Sequence, residues 1–204
     1  MGNDGSILLS TTYFGPVQWY QKLYRAERVE IEQWESFRKQ TYRNRCLIAT
    51  ANGIQALTVP VEHSTLNSIK DLRISDHGNW RHLHWNAIQT AYGESPFFEY
   101  YQDDIRPFFE KRWAYLLDFN EEIRQKMCEL LDIQPKVGFS LEFKVDSLIN
   151  KDYRDKITPK NPAPDPDFQP RRYYQVYEQK HGFLPNLSIL DLLLNMGPES
   201  IFYL

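Results

Sequence analysis

The chain reads as an α/β protein: one domain over residues 1–204, with a small mixed sheet that starts as a β-α-β unit, continues into a β-hairpin and is flanked by helices. Three observations predict that class. Near the N-terminus a short apolar run, an amphipathic helical pattern and a second alternating run follow one another, the order of a strand, helix, strand unit. Asn52-Gly53 stands between two apolar runs and signals a hairpin, because both residues tolerate positive φ. From Gly78 onward apolar residues recur at three- and four-residue spacing, the period of helices laid on a core.

Composition narrows the function classes. With 42% apolar residues and no run long enough to span a bilayer, the chain can bury a core and is expected neither to insert into a membrane nor to need one. A net charge of −3 offers no global attraction to nucleic acid, so a nucleic-acid partner is not expected. Cys46 and Cys128 are too few for a disulfide scaffold, and no charged-then-apolar leader is present, so the expected location is cytoplasmic. Met1-Gly2 with Ser6 fits a loose myristoylation pattern, but Gly-Asn-Asp-Gly-Ser is equally the composition of a flexible start and is read as one. No feature sets the oligomeric state.

The elements follow in order. Ser6–Ser10 is a short apolar strand, residues 11–15 a loop, and Pro16 the opening of a helix that runs to Arg25. Residues 28–33 form a second strand, parallel to the first, with Val29 and Ile31 alternating against charges. In such units ligands sit beyond the carboxyl end of the first strand, which directs attention to residues 11–15. A two-residue Asn52-Gly53 loop pairs Ala51 with Ile54, Ile48 with Leu57, Cys46 with Val59 and Asn44 with Val61, and sets Arg43 opposite Glu62. Residues 72–75 add an edge strand. Residues 80–93 are helical, with Trp80, Leu83, His84, Ala87, Ile88 and Ala91 on one stripe; Ser95-Pro96 caps and opens the next helix, which Pro107 bends or ends. Residues 116–131 are a third helix and residues 137–143 a strand. Five of the twelve prolines then fall within residues 159–170, making a stiff excursion at about residues 151–172 that is neither helix nor central strand. Residues 174–181 resume helix, and Ser188 caps a last helix that ends at Gly197. The apolar C-terminus is expected to be docked.

The residues able to carry chemistry cluster around the hairpin and the helix after it. Arg38, Lys39, Arg43 and Arg45, interleaved with Gln40, Tyr42 and Asn44, offer the many fixed donors that phosphate or carboxylate recognition requires. Cys46 faces the apolar side of the hairpin, where burial raises a thiol's pKa, so it is a structural cysteine. His82 and His84 point in different directions on a helix and cannot chelate one ion, so no metal site is expected. His84, on the apolar stripe, and His63, past the proline that ends the hairpin, are the two proton-carrier candidates. Neither G-x-G-x-x-G nor a P-loop occurs, and no cofactor is expected. The acidic residues at 103–104 and 165–167 read as solvated faces.

Four ordered blocks carry a resemblance: SILLSTTYFGPVQWYQKLYRAERVEIEQ, QTYRNRCLIATANGIQALTVPVEH, WRHLHWNAIQTAYGESPFF and HGFLPNLSILDLLLNMGPESI. Together they resemble the WbqC-like protein family, in the form found in Bacteroidetes. The resemblance implies a cytoplasmic enzyme of bacterial O-antigen or other surface-polysaccharide biosynthesis, a transferase of acyl or aminoacyl groups or a modifier of sugar nucleotides. Its small-molecule partner would be a sugar nucleotide or acyl donor. The family pattern falls on Tyr13, Asn44, Arg45, Pro60, Trp80, His84 and Tyr92, and leaves out Cys46 and His82. With the donor-rich approach, this makes Tyr13, Gln40, Arg43, Asn44, Arg45, Trp80 and Tyr92 the expected substrate contacts, and His84 and His63 the expected catalytic residues. One departure stands out: a Tyr-Leu-Ser-Gly type segment of the family is replaced here by the proline-rich residues 158–170. The rival reading is a non-catalytic carbohydrate- or protein-binding module. It is separated from an enzyme by whether Tyr13, Arg45 and His84 converge on one concave pocket or scatter across the surface.

Overall fold

Two small sheets set the geometry of the protein. A computed structural model describes residues 6–62, 68–145 and 151–204. In it β1 (Ser6–Ser10) and β2 (Arg28–Glu32) pair in parallel from Ser6↔Arg28 to Ser10↔Glu32, connected by α1 (Val17–Arg25). This is the β-α-β unit that the alternation of residues 6–33 predicts. A third parallel strand, Val137–Phe139, pairs with β2 on its other side, so β2 is central. The outer edge of β1 is covered by the start of the proline-rich excursion: Leu8 N–H donates to the Lys151 carbonyl and Tyr153 N–H to the Leu8 carbonyl. Backbone groups that would otherwise template aggregation are thereby paired.

The hairpin is a separate antiparallel pair, β3 (Arg45–Thr50) and β4 (Gly53–Thr58). Its register differs from the expected one by two residues: Cys46 pairs with Leu57, Ile48 with Gln55 and Ala49 with Ile54. The loop is Ala51-Asn52, and only Gly53 takes positive φ, at 104°. The turn is therefore not the I′ type that needs two positive-φ residues; Thr50 Oγ1 closes it on the Gly53 carbonyl at 2.8 Å. A slip of two preserves parity, so Cys46 still faces the core, fully buried, and burial pushes its thiol well above the ordinary range.

Against the sheets lie α2 (Trp80–Tyr92), α3 (Phe98–Ile105), α4 (Pro107–Glu110) and α5 (Leu116–Leu130), followed by the strand Val137–Phe139 as β5, then α6 (Glu178–His181) and α7 (Ile189–Met196). Pro107 does interrupt the helix it sits in. Ser95 does not cap α3. Its hydroxyl has no partner, and the Phe97 N–H is taken by the Leu194 carbonyl of α7, which holds residues 95–97 as a turn. The expected helix at 174–181 shrinks to one turn, because the Gln175 side chain bonds across to Leu184. The expected strand at 137–143 stops at Phe139, since Ser140 turns in to bond Gln33 and Glu32. Residues 72–75 make isolated bridges, Val61↔Ile74 and Arg73↔Tyr115, rather than a strand. Nor is Asp165 solvated: its carboxylate bonds Lys22 Nζ and Gln18 Nε2 and pins the proline-rich segment to α1.

Aromatic rings fill the centre. Phe119 of α5 lies 5.7 Å from Tyr13, 6.0 Å from Trp80 and 5.3 Å from Trp113, ring centroid to centroid. The helix α7 begins at Ser188, whose hydroxyl accepts from Leu190 N–H, and ends at Gly197 as its composition predicts. Gly197 has φ 55°, and a Cβ there would sit 2.4 Å from the Phe97 ring. Gly197→Ala is accordingly expected to destabilise by about 1–3 kcal/mol through strain and overlap, read as a lower urea midpoint at unchanged slope. The C-terminal Leu204 is buried, and Arg25 donates to its carbonyl. No helix among the described residues is long and apolar enough to cross a membrane.

Candidate functional site

The loop that leaves β1 and the helix α2 meet at one hydrogen bond. Tyr13 Oη and His84 Nδ1 are 2.9 Å apart. The loop is held from three sides: Tyr13 N–H donates to the Tyr42 carbonyl, Ser188 Oγ donates to the Phe14 carbonyl, and Ile189 N–H donates to the Gly15 carbonyl. His84 is 6% exposed and Tyr13 has no exposed surface. Burial drives the imidazole down to about 4, opposed by a hydrogen bond to the Thr58 backbone that favours the charged ring. The ring is therefore neutral at pH 7, donating to the Thr58 carbonyl and accepting the Tyr13 hydroxyl at Nδ1. Desolvation holds the Tyr13 phenol far above its ordinary range, so it keeps its proton.

Thr58 ties the hairpin into the same constellation. Arg45 Nε donates to Thr58 Oγ1 at 2.9 Å, the only hydrogen bond of that guanidinium among the described residues. Tyr13, His84 and Arg45 are thus linked through one threonine, and none of them lines the cavity at Trp80 and Arg81. Arg43 does not join them. It is 2% exposed and grips Glu35 through two bonds, Nε to Oε1 at 2.9 Å and Nη2 to Oε2. The expected Arg43–Glu62 pairing is absent; Glu62 lies 3.7 Å from Arg73 instead, because the register shift moves it past Arg43. Gln40 is exposed, with positive φ, and accepts a bond from Lys160 Nζ. Asn44 donates to the Val59 carbonyl, and its buried Oδ1 has no partner. Trp80 donates from its indole to the Ser75 carbonyl and packs edge-on against His84 at 5.2 Å. Tyr92 lies elsewhere, donating to Asp191 at 3.0 Å and accepting from Ala49 N–H. His63 lies outside the described residues. His82 points away from His84 and bonds Asn86.

Two buried polar clusters have no counterpart in the sequence reading. At the carboxyl ends of β2 and β5, Glu32 has no exposed surface and accepts from Ser140 Oγ at 2.6 Å, Trp34 N–H, Lys144 N–H and Arg154 Nη1. Only the fold brings residues 32, 140 and 154 together. In α7, Asp191 receives Tyr92, Tyr173 and Gln175 at 2.7–3.0 Å, while burial raises its carboxyl pKa. That cluster did leave a trace: an aspartate inside the apolar run Ile189–Met196.

Behind Trp80 opens a cavity of about 290 Å³, lined among others by Trp80, Arg81, His82, Trp85, Arg106 and Phe109. Phe109 also faces His84, at 6.5 Å. Arg81 stacks on Trp80 at 4.6 Å and bonds Asp76, while its buried Nε has no partner. One layer of aromatic rings thus separates the histidine from a space carrying two arginines. No cluster of three or more metal-binding side chains occurs among the described residues.

Comparison with known proteins finds similarity over most of the chain. A relative in Mycobacterium tuberculosis, the uncharacterised protein Rv1507c, is 28% identical over 197 residues, spanning 82% of this chain and 83% of that protein. No solved structure matches. The profile of the WbqC-like protein family matches residues 11–158 and 165–203, stepping over six residues of the proline-rich segment and including Tyr13, Arg45 and His84. The chain belongs to the WbqC-like protein family.

Proposed function

We propose that the protein is a transferase of bacterial O-antigen or other surface-polysaccharide biosynthesis, moving an acyl or aminoacyl group onto a sugar nucleotide, with His84 as its general base. The observation that carries this reading is the neutral, buried His84, bonded to Tyr13 and one ring removed from an arginine-bearing cavity. The Nδ1 lone pair faces the Tyr13 hydroxyl, so the proton that an attacking hydroxyl or amine loses reaches it through Tyr13 Oη. Tyr13 passes on its own proton as the bond to the acyl carbon forms and the donor's leaving group departs with its electron pair. Arg81 and Arg106 line the cavity where an anionic donor or acceptor group would sit, although each also contacts a carboxylate, Asp76 and Glu110. Reaction requires Trp80 or Phe109 to swing aside, as lids and loops do in many transferases.

A thermal-shift screen against sugar nucleotides and acyl donors identifies the ligand, since binding raises stability by linkage. With the responding pair, His84→Gln is expected to lower the transfer rate by about a hundredfold or more, with the ligand-induced shift retained. A full rate in that variant would remove His84 from the chemistry.

A further inference from the structure

At the opposite end of the sheet lies a second cavity, of about 420 Å³, within the size range of small-molecule sites, roughly 300–1,000 Å³. It opens at the start of β1 and the end of α1, where Gln21, Lys22, Arg25, Lys151, Tyr153 and Asp167 contribute to its walls. Three of these are cations. Lys22 is neutralised by Asp165 and Arg25 donates to the Leu204 carbonyl, but Lys151 has no carboxylate partner among the described residues. Gln21 is 2% exposed, yet its amide oxygen has no hydrogen-bond donor. A buried acceptor left unmade costs about 1–3 kcal/mol, a cost that a ligand hydroxyl in the cavity relieves. Glu27 and Asp167 add two carboxylates to the lining.

The proline-rich segment supplies one wall. Asp165 clasps it to Lys22 and Gln18, and Asp167, two residues on, faces the cavity. Residues 159–164, just before the clasp, form the one internal gap in the match to the family profile. The lining residues Lys151, Tyr153 and Asp167 themselves lie within the matched stretches, on either side of that gap.

We propose that this cavity binds a phosphorylated sugar: Lys151 and Arg25 hold the phosphate, while Gln21, Glu27 and Asp167 accept the sugar hydroxyls. A bare anion would leave those three acceptors unused, and a neutral sugar would leave Lys151 unpaired. The site is independent of the His84 cavity, because it stands at the amino end of strands whose carboxyl ends point toward the loop of Tyr13.

The test is thermal unfolding and calorimetric titration of the intact protein with glucose 1-phosphate, inorganic phosphate and glucose. Glucose 1-phosphate is expected to raise the melting temperature most, phosphate less and glucose not at all. Lys151 is exposed, so its replacement leaves the fold intact; Lys151→Glu should weaken glucose 1-phosphate binding about tenfold or more, and Lys151→Arg should keep it. Equal shifts from phosphate and glucose 1-phosphate would overturn the sugar assignment, and unchanged affinity in Lys151→Glu would overturn the site. Arg106→Glu, which alters the cavity beside His84, should bind glucose 1-phosphate like the parent. Loss of binding there would assign the ligand to the histidine cavity and overturn this proposal without touching the proposed chemistry.

Discussion

Arg43→Ala will destabilise the protein by about 3–5 kcal/mol, because it strands Glu35 as an uncompensated charge in the interior. The guanidinium is 2% exposed and bonds both carboxylate oxygens, so no water replaces it when it is removed. Asp155, 3.9 Å from Arg43, is half exposed and already paired with Arg38 at 2.6 Å, so it loses little. For a chain of this length each kcal/mol moves the midpoint by about 2–4 °C, so thermal unfolding followed by circular dichroism should show a fall of about 6–20 °C. The double variant Arg43→Met with Glu35→Leu separates the cause. Replacing both charges with apolar groups of similar volume removes the desolvation cost as well as the attraction, and it should recover most of the loss. If the double variant is no more stable than Arg43→Ala, the guanidinium acts through something other than its partner.

That ion pair also shows where sequence reading reaches its limit. The β-α-β start, α2, α5 and the Ser188-capped α7 were legible because each is coded by a local period or a local cap. The inward face of Cys46 was legible too, and it survived a wrong register because the error was two residues, which leaves parity unchanged. The partner of Arg43 was not, since hairpin register was the only local rule available and it pointed to Glu62. Glu35 becomes the partner only when the residues after β2 fold back over the entrance to β3. Glu32 with Arg154, and Asp191 with Tyr92, are likewise pairings across about a hundred residues, set by packing alone. At the candidate site, Tyr13 and His84 were nameable from the resemblance and from their loop and helix positions. Their mutual bond, and the threonine that links them to Arg45, required the fold.

Acid will weaken the folded state through His84. In the unfolded chain its imidazole titrates near 6.5, and in the fold near 4. Between those values the unfolded chain takes up a proton that the folded chain refuses, so stability falls as pH drops below 6.5 and this contribution stops falling near 4. At about 1.4 kcal/mol per pH unit, the interval is worth about 3 kcal/mol. Carboxyl groups act nearby with opposite signs, Asp76 among those held low, by its bond to Arg81. The raised carboxyl of Asp191 binds its proton more tightly in the fold and so gains stability as pH falls, whereas Asp165, depressed net by Lys22 and Gln18 despite its partial burial, loses stability only at more acid pH. The histidine's share therefore has to be read as a difference between two chains. Urea unfolding of the parent and of His84→Gln, at steps from pH 7 to pH 4, should show the parent losing about 3 kcal/mol more than the variant, with glutamine still able to meet Tyr13 and the Thr58 carbonyl. Parallel curves would mean that the imidazole titrates alike in both states and is not held neutral by burial; a parent that gains on the variant as pH falls from 7 would mean that it is charged within the fold. His84 would then have no lone pair to offer as a base, and the proposed proton transfer would fail with it.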